Sequence, residues 1–244
     1  MRLFGLIGYP LSHSFSKKYF ADKFNREGIT DCRYDLFPLE DIRDLRLLLN
    51  KDPEGLNVTI PYKEQVIPFL DDMTDVVRET GACNCIRIRD GKLKGFNTDV
   101  TGFEQTLLQK LRPHHKPALV LGTGGASKAV KWVLAKNHIP FTMVSRKASD
   151  DTLSYQHITP QMMAEYKLVI NTTPLGMYPA TDQAPELPYD GVTPDHLFYD
   201  LIYNPPKTLF LQKGESKGAE ILNGSDMLVI QAEESWRIWN ESEK

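Results

Sequence analysis

The strongest constraint on the fold is a glycine turn near the middle of the chain. Residues 119–127 read Leu-Val-Leu-Gly-Thr-Gly-Gly-Ala-Ser, an apolar strand followed by a glycine turn and the first turn of a helix. Glycines there let the backbone approach a pyrophosphate, whose charge is stabilised at the helix N-terminus. The pattern predicts a dinucleotide site, and the alternative is an ordinary strand-to-helix turn that binds nothing. The candidate cofactor-binding residues of this turn are Gly122, Gly124, Gly125, Ala126 and Ser127.

The end of the next strand indicates which dinucleotide would bind. Sites for NAD usually place an acidic residue about 20 residues beyond the glycines, where it holds the ribose hydroxyls. In this chain Val144 is followed by Ser145-Arg146-Lys147, with no carboxylate. Two cations suit the 2′-phosphate of NADP, so the sequence favours NADP. The alternative is that Arg146 and Lys147 lie in a solvated loop.

Composition excludes several other classes of protein. The 244 residues include 29 basic and 32 acidic side chains, for a net charge of −3. A nucleic-acid-binding protein usually has a basic excess. The apolar content of 41% is sufficient for a core, and no apolar run approaches the roughly 18–20 residues that span a bilayer. The three cysteines are too few for a disulfide framework. These features predict a soluble, cytoplasmic protein without a membrane or nucleic-acid partner.

Strand-like and helix-like segments alternate along the first hundred residues. Asp90-Gly91 between two apolar runs predicts a β-hairpin. Residues 101–104 read Thr-Gly-Phe-Glu, a capping box that predicts the start of a helix and a domain boundary near residue 100. Beyond it, apolar strands alternate with amphipathic helices, the pattern of a parallel α/β sheet.

Three candidate groups in the first half have ordinary structural explanations when each is taken alone. Residues 8–16 place several hydroxyls at a predicted helix start, where backbone N–H groups favour a carboxylate, although Ser16 could simply cap the helix. Lys63 follows a strand and a proline turn, as a solvated lysine could. Asp99 follows another strand, where a turn aspartate is common.

Taken together in their order along the chain, these segments resemble the shikimate dehydrogenase family. The family has a serine pair, an N-V-T-x-P-x-K segment, G-A-x-N, N-T-D, the glycine turn, N-T-T/S-P-x-G-M and a late Q-A helix. This chain matches those motifs at Ser14 and Ser16, residues 57–63, 81–84, 97–99, 122–126, 171–177 and 227–232. The matches span residues 5 to 232.

The resemblance implies an α/β protein of two α/β domains with a cleft between them. The N-terminal substrate-binding domain would comprise residues 1–99 and 224–244, and a Rossmann-like NADP-binding domain would comprise 100–223. The implied activity is the NADP-dependent, reversible reduction of 3-dehydroshikimate to shikimate, by a monomer or homodimer that uses no metal.

The resemblance also implies which residues act. Lys63 and Asp99 match the family's catalytic pair. Hydride addition to a ketone leaves an alkoxide, to which a lysine beside a carboxylate can donate a proton. The implied substrate-binding residues are Ser14, Ser16, Asn57, Thr59, Asn84, Asp99, Tyr203 and Gln231, and the implied cofactor-binding residues are those of the glycine turn with Ser145, Arg146, Lys147, Thr173, Pro174 and Gly224.

Some positions depart from the family pattern. Lys17 and Phe20 replace a frequent proline and histidine, and the cofactor strand ends Ser-Arg-Lys where Asn-Arg-Thr is common. Two alternatives therefore remain open. One is a quinate/shikimate dehydrogenase that uses NAD, and the other is a non-catalytic dinucleotide or metabolite sensor on the same scaffold.

Overall fold

A computed structural model describes residues 1–11 and 14–241. The chain forms two compact units, of which unit 1 comprises Met1–Thr98 and Gln231–Lys244, and unit 2 comprises Asp99–Ile230. Residues 12 and 13, inside the predicted carboxylate-binding segment, lie outside the described residues. Within the described ranges, no helix combines the length and apolar character needed to cross a membrane.

Unit 1 alternates strands with short helices. Its strands are β1 (Arg2–Gly8), β2 (Cys32–Pro38), β3 (Gly55–Val58), β4 (Asp72–Met73), β5 (Cys85–Arg89) and β6 (Lys92–Phe96). Its helical segments are α1 (Phe15–Glu27), α2 (Leu45–Leu49), α3 (Tyr62–Gln65) and α4 (Asp75–Thr80), with 3-10 turns at Ile42–Asp44 and Ile67–Phe69.

The strands of unit 1 form one mixed sheet in the order β2-β1-β3-β5-β6-β4. Strands β2, β1 and β3 are parallel, whereas β5 is antiparallel to both β3 and β6. The carboxyl ends of β3 and β6 therefore meet the start of β5 at one edge of the sheet. The predicted hairpin is confirmed: Asp90 and Gly91, with φ of 49° and 73°, join β5 to β6.

The two faces of this sheet bury separate apolar clusters. Ile7, Leu56 and Ile86 belong to one cluster, and Phe4 to the other, because side chains alternate along a strand. Trp239, from the last helix of the chain, completes the second cluster. Its ring stacks on Phe4 with centroids 4.9 Å apart, and its indole N–H donates to the Ile86 carbonyl at 3.0 Å.

Unit 2 has the regular alternation of an α/β unit. Its strands are β7 (Ala118–Leu121), β8 (Phe141–Ser145), β9 (Thr152–Ser154), β10 (Leu168–Asn171), β11 (Leu197–Asp200) and β12 (Glu220–Leu222). The helices are α5 (Thr98–Lys110), α6 (Gly125–Lys136), α7 (Pro160–Glu165), α8 (Leu209–Glu215) and α9 (Ser225–Asn240), with 3-10 turns at Pro113–His115, Tyr155–His157 and Tyr189–Gly191. Helix α5 begins at Thr98, where the first segment of unit 1 ends, and α9 belongs to unit 1 from Gln231 onward.

All six strands of the unit 2 sheet are parallel, in the order β12-β11-β10-β7-β8-β9. This is the doubly wound order of the Rossmann fold, in which the chain reverses direction across the sheet between β7 and β10. The predicted fold class, two α/β domains of which the second is Rossmann-like, is confirmed.

Two helices begin earlier in the chain than the sequence patterns indicate. The N-cap of α1 is Ser14, and Ser16 lies within the first turn. Helix α5 begins at Thr98 and not at the Thr101 capping box. The cause is a tertiary contact, because the Asn84 side-chain carbonyl accepts the backbone N–H of Thr98 at 2.7 Å and satisfies the helix start earlier.

Candidate functional site

The glycine turn follows β7 at the switch point of the unit 2 sheet. Gly122 has a φ of +105°, a conformation that L side chains rarely adopt, and a Cβ there would lie 2.7 Å from the Thr172 hydroxyl. Gly124 is the N-cap of α6, and a Cβ on Gly124 or Gly125 would meet nothing within 4 Å. The backbone at the start of this 12-residue helix is therefore open to an anionic ligand.

The two residues after the glycines differ in what they offer a ligand. Ala126 is half-buried in the first turn of α6. Ser127 is buried, and its hydroxyl donates to the Gly124 carbonyl at 2.7 Å. Ser127 thereby stabilises the turn at the position where the dinucleotide fingerprint usually has a third glycine.

A cavity of about 430 Å³ lies along the carboxyl ends of β7, β8, β9 and β10. Ligands of open α/β sheets bind at this edge, beside the switch point. Predicted cofactor residues from the glycine turn, from the end of β8 and from the loop after β10 share this cavity. Its lining residues are Gly122, Thr123, Gly124, Ser145, Arg146, Tyr155, Thr172, Thr173, Pro174 and Leu175.

The loop after β8 presents the two cations. Arg146 and Lys147 are both exposed, and Arg146 lines the cavity. The Ser145 hydroxyl donates to the Lys147 carbonyl at 2.7 Å and accepts the Lys147 N–H at 3.3 Å. Ser145 thus folds the loop back on itself, which holds Arg146 at the cavity edge.

The loop after β10 is held by Asn171. Its side-chain carbonyl accepts the Thr173 hydroxyl at 2.7 Å and the Thr173 N–H at 3.0 Å. The same Thr173 hydroxyl accepts the N–H of Leu175 at 3.3 Å. These bonds fix the turn in which Thr173 and Pro174 line the cavity.

Asp200, at the end of β11, is a fully buried carboxylate that supports this loop. It accepts hydrogen bonds from the Asn171 amide at 3.1 Å, from the Ile202 N–H at 3.1 Å and from the Thr208 hydroxyl at 2.5 Å. Burial raises the pKa of Asp200 from its usual 3.8 to about 6, against the lowering effect of these three donors.

We expect Asp200 to make stability depend on pH. Its pKa is raised, so the stabilising contribution of its proton is complete below pH 4 and is lost as pH rises through about 6. The difference between a pKa of 3.8 and one of about 6 corresponds to ~3 kcal/mol. The stability of Asp200→Asn relative to wild type should therefore improve by ~2–3 kcal/mol between about pH 4 and pH 7, measured by urea unfolding across that range.

The control for this prediction is Asp190→Asn. Asp190 is exposed, and its hydrogen bond to Lys217 lowers the pKa of its carboxyl. Its contribution to stability should therefore be lost as pH falls, opposite in sign to that of Asp200. A stability difference between Asp200→Asn and wild type that does not change with pH would contradict the prediction.

Tyr203 and Gly224 lie in the two segments that follow β11 and β12. Tyr203 is half-buried. Gly224 is buried, its N–H donates to the Ile202 carbonyl at 3.0 Å, and a Cβ there would overlap the Leu201 carbonyl. Gly224 is therefore required by the close approach of two backbone segments.

Within unit 1, the structure brings two predicted residues, Asn84 and Gln231, together through Thr98 at the sheet edge formed by β3, β5 and β6. The Asn84 amide donates to the Thr98 hydroxyl at 3.0 Å. The Thr98 hydroxyl lies 3.5 Å from the side-chain carbonyl of Gln231, to which it donates. The Asn84 side chain has two amide N–H donors, and one of them is used on Thr98. The second has no protein acceptor among the described residues, so it can donate to a ligand.

Asn57 is held differently. Its side-chain carbonyl accepts the Tyr34 hydroxyl at 2.8 Å, and its amide donates to the Ser235 hydroxyl at 2.9 Å and to the Asn84 backbone carbonyl at 3.4 Å. Both amide N–H groups are therefore used within the protein, and one carbonyl lone pair is left for a substrate hydroxyl.

The serine pair is at the start of α1. The Ser14 hydroxyl oxygen is buried and has no hydrogen-bond partner among the described residues. The Ser16 hydroxyl donates to the Tyr34 hydroxyl, which opposes the rise that burial causes in the Tyr34 pKa. Ser14 and Ser16 therefore differ, because only Ser16 is engaged through Tyr34 with Asn57.

The remaining predicted residues are half-buried. Thr59 follows β3, and its N–H donates to the Ile7 carbonyl at 2.9 Å. Lys63 lies in α3, where its backbone carbonyl accepts the N–H of Cys83 at 2.7 Å. Asp99 is the second residue of α5.

Sequence reasoning missed several residues that support these groups. Tyr34 and Ser235 hold Asn57, and Asp200 holds Asn171. Ser235 could have been found, because it lies four residues after Gln231 on one face of α9. Tyr155 could not, because it enters the cavity just after β9, a strand of three residues. Nowhere in the described chain do three or more Asp, Glu, His or Cys side chains form a group able to hold a metal ion.

The parallel sheet, the glycine turn at its switch point and the adjoining cavity define unit 2 as a nucleotide-binding unit of the Rossmann class. Comparisons identify the whole chain. A family model described as the shikimate dehydrogenase substrate binding domain matches residues 6–86. The chain is 36% identical, over 98% of its length and 93% of the relative, to shikimate dehydrogenase (NADP(+)) of Staphylococcus aureus strain Newman. It belongs to the shikimate dehydrogenase family.

Solved structures agree with this assignment. Shikimate 5-dehydrogenase of Thermus thermophilus, in complex with NADP(H) and shikimate, matches with a TM-score of 0.87 and 28% identity, over 98% of this chain and 94% of that one. The ligand-free 5-ketofructose reductase of Gluconobacter sp. strain CHM43 matches with a TM-score of 0.85 and 27% identity, over 98% and 92%. The same fold thus occurs in proteins named for different carbonyl substrates.

Proposed function

We propose that this chain is an NADP-dependent oxidoreductase that interconverts 3-dehydroshikimate and shikimate. The observation that carries the proposal is the 36% identity, over 98% of the chain, to a shikimate dehydrogenase (NADP(+)). The polar groups described in each unit support it, because unit 2 offers a site for a dinucleotide and unit 1 offers a site for a small polyhydroxylated acid.

The residues of unit 2 fit the cofactor. The open backbone at Gly124 and Gly125 suits a pyrophosphate, and Arg146 at the cavity edge suits a 2′-phosphate. We assign cofactor binding to the predicted set, in which Thr173 and Pro174 form the opposite wall of the cavity. Ser127, Asn171 and Gly224 act by shaping the backbone. When bound, NADPH supplies the hydride for the reduction.

The residues of unit 1 fit the substrate. The Ser14 hydroxyl, which has no partner among the described residues, can donate to a carboxylate near the start of α1, and the Ser16 hydroxyl can do so by exchanging its hydrogen bond to Tyr34 for one to the ligand. Asn84 keeps an amide N–H for a ring hydroxyl, whereas Asn57 keeps only an acceptor. We assign substrate binding to these residues together with Thr59 and Gln231, and also to Asp99 and Tyr203, which belong to unit 2.

Proton transfer is assigned to Lys63 and Asp99. Reduction of a carbonyl generates negative charge on its oxygen, and a lysine ammonium both stabilises that charge and donates the proton. The Asp99 carboxylate can hold the ammonium and accept a hydrogen bond from the product hydroxyl. In the oxidation direction the same two groups remove the hydroxyl proton.

The experiment that tests the proposal is an absorbance assay of cofactor reduction. The purified full chain is supplied with shikimate or quinate, each with NADP or NAD. We expect the highest kcat/KM with shikimate and NADP. Preference for quinate and NAD would favour the quinate/shikimate type, and binding without turnover would favour a sensor.

A further pair of measurements tests whether the chain instead reduces 5-ketofructose, the substrate in the name of the structurally similar reductase. With NADPH, the chain is supplied with 3-dehydroshikimate or with 5-ketofructose. Because the proposed site uses two hydroxyls to hold a carboxylate, a neutral ketosugar should be a poor substrate. Equal turnover of the two ketones would overturn the assignment of the substrate while leaving an NADP-dependent reductase.

A further inference from the structure

Three buried side-chain oxygens in the described part of the chain have no hydrogen-bond partner: the Ser14 hydroxyl, the Asn97 carbonyl and the Tyr155 hydroxyl. A buried polar group without a partner costs free energy and requires an explanation in each case. Tyr155 lines the cavity of unit 2, and none of the roles assigned above uses it. Its ring packs against the apolar cluster of the unit, a function that a phenylalanine would also serve.

The sheet register places Tyr155 beside Arg146. Strands β8 and β9 are parallel, with Ser145 paired to Ser154. Arg146 and Tyr155 each follow one of these paired residues, so they leave adjacent strands at the same edge. Adjacent strands lie about 4.8 Å apart, which brings both side chains to one end of the cavity.

The surroundings of the Tyr155 hydroxyl favour its neutral form, which can donate a hydrogen bond, over the tyrosinate anion. Burial raises the pKa of the Tyr155 hydroxyl to about 12, and the nearby Arg146 guanidinium only partly opposes this. The hydroxyl therefore keeps its proton at neutral pH. A neutral O–H beside a guanidinium can bind a phosphate oxygen by a charge-assisted hydrogen bond.

We propose that Tyr155 is a further cofactor-binding residue, whose hydroxyl donates to the 2′-phosphate of NADP alongside Arg146. This deepens the proposed function and rests on its choice of NADP. In Rossmann sites the residue at the end of the second strand binds the ribose 2′ position. In this chain that residue is Arg146, and Tyr155 lies beside it at the end of the adjacent strand β9. The hydrogen bond to a charged phosphate is stronger than one to the 2′-hydroxyl of NAD, so Tyr155 contributes to cofactor selectivity.

The test compares Tyr155→Phe with Tyr189→Phe in the full chain. Calorimetry measures the affinities for adenosine 2′,5′-bisphosphate and for AMP, and a thermal melt measures Tm without ligand. Tyr155→Phe should weaken the bisphosphate about 10-fold or more, the range expected for a hydrogen bond to a charged group. Its affinity for AMP should not change, and its Tm should stay the same or rise, because the deleted hydroxyl has no partner to lose.

Tyr189→Phe is the matched control. The Tyr189 hydroxyl donates to the Pro185 carbonyl at 2.9 Å, and its ring packs against the same apolar cluster. This variant should lower Tm and leave both affinities unchanged. The proposal is overturned if Tyr155→Phe binds the bisphosphate as wild type does, if it weakens AMP equally, or if its Tm falls as that of Tyr189→Phe does.

These measurements also separate the proposal from the function on which it rests. If the wild-type chain prefers the bisphosphate to AMP but does not oxidise shikimate, the substrate assignment fails while the role of Tyr155 is still tested by its variant. If wild type binds AMP as tightly as the bisphosphate, the choice of NADP and the role of Tyr155 are both overturned.

Discussion

Replacing Lys63 with alanine is expected to lower kcat by about 10²–10⁴-fold, the usual contribution of a general acid–base group. The effect on KM should be far smaller, because the interaction is strongest when charge develops on the carbonyl oxygen in the transition state. Steady-state kinetics with shikimate and NADP at neutral pH would measure both constants. Lys63 has the largest expected effect because it is the residue to which donation of the proton is assigned.

Two further variants make this result interpretable. Lys63→Arg keeps the positive charge but binds its proton too tightly to release it, so it should also lose most of its turnover. Lys92→Ala removes an exposed lysine from the β5–β6 hairpin and should behave as wild type. Near-normal turnover of Lys63→Ala would show that Lys63 is only a binding or surface residue.

The second large effect is expected for Arg146→Ala. The variant should weaken NADP by about 10–150-fold and leave NAD almost unchanged, because a charge-assisted hydrogen bond of about 1.5–3 kcal/mol is lost only with the phosphate. The dissociation constants of both cofactors can be measured by titration. Lys147→Ala, one residue further along the same exposed loop, is the control and should have a smaller effect.

A different outcome would assign Arg146 another role. Equal weakening of NADP and NAD would mean that its side chain contacts the adenine or supports the loop after β8. The loop itself is held by the Ser145 hydroxyl, so a variant at Arg146 need not disturb its backbone. A melting temperature equal to that of wild type would verify this.

The fold of unit 2 could be predicted from the sequence because the patterns that indicate it lie within short stretches of the chain. The strand, glycine turn and helix at residues 118–136 follow one another directly, and the alternation of strands with helices continues to residue 200. The shortest strands could not be predicted from the sequence. Strand β9 has three residues and β4 has two, and neither carries enough alternation to distinguish it from a loop.

The polar contacts of the site were accessible only in part. Motif positions indicated Asn57, Asn84 and Gln231, but nothing in their spacing shows that Tyr34 and Ser235 each occupy one hydrogen-bonding group of Asn57. Such contacts join residues 23 to 178 positions apart in the chain. The start of α5 was misplaced for the same reason, because the group that satisfies Thr98 comes from Asn84 and not from a neighbouring residue.

The chain segments that build unit 1 have a consequence for synthesis on the ribosome. Trp239 fills the core around Phe4, and Gly55 lacks a side chain because the Trp239 indole occupies that space. The first unit in the sequence therefore cannot close its core until its last helix has left the exit tunnel. The strands of unit 2, at residues 118–222, emerge as one uninterrupted stretch before that. Unit 2 can therefore be completed before unit 1, although unit 1 begins earlier in the chain, and a nascent chain exposes the aromatic surface of unit 1 until Trp239 has been added and has left the ribosome.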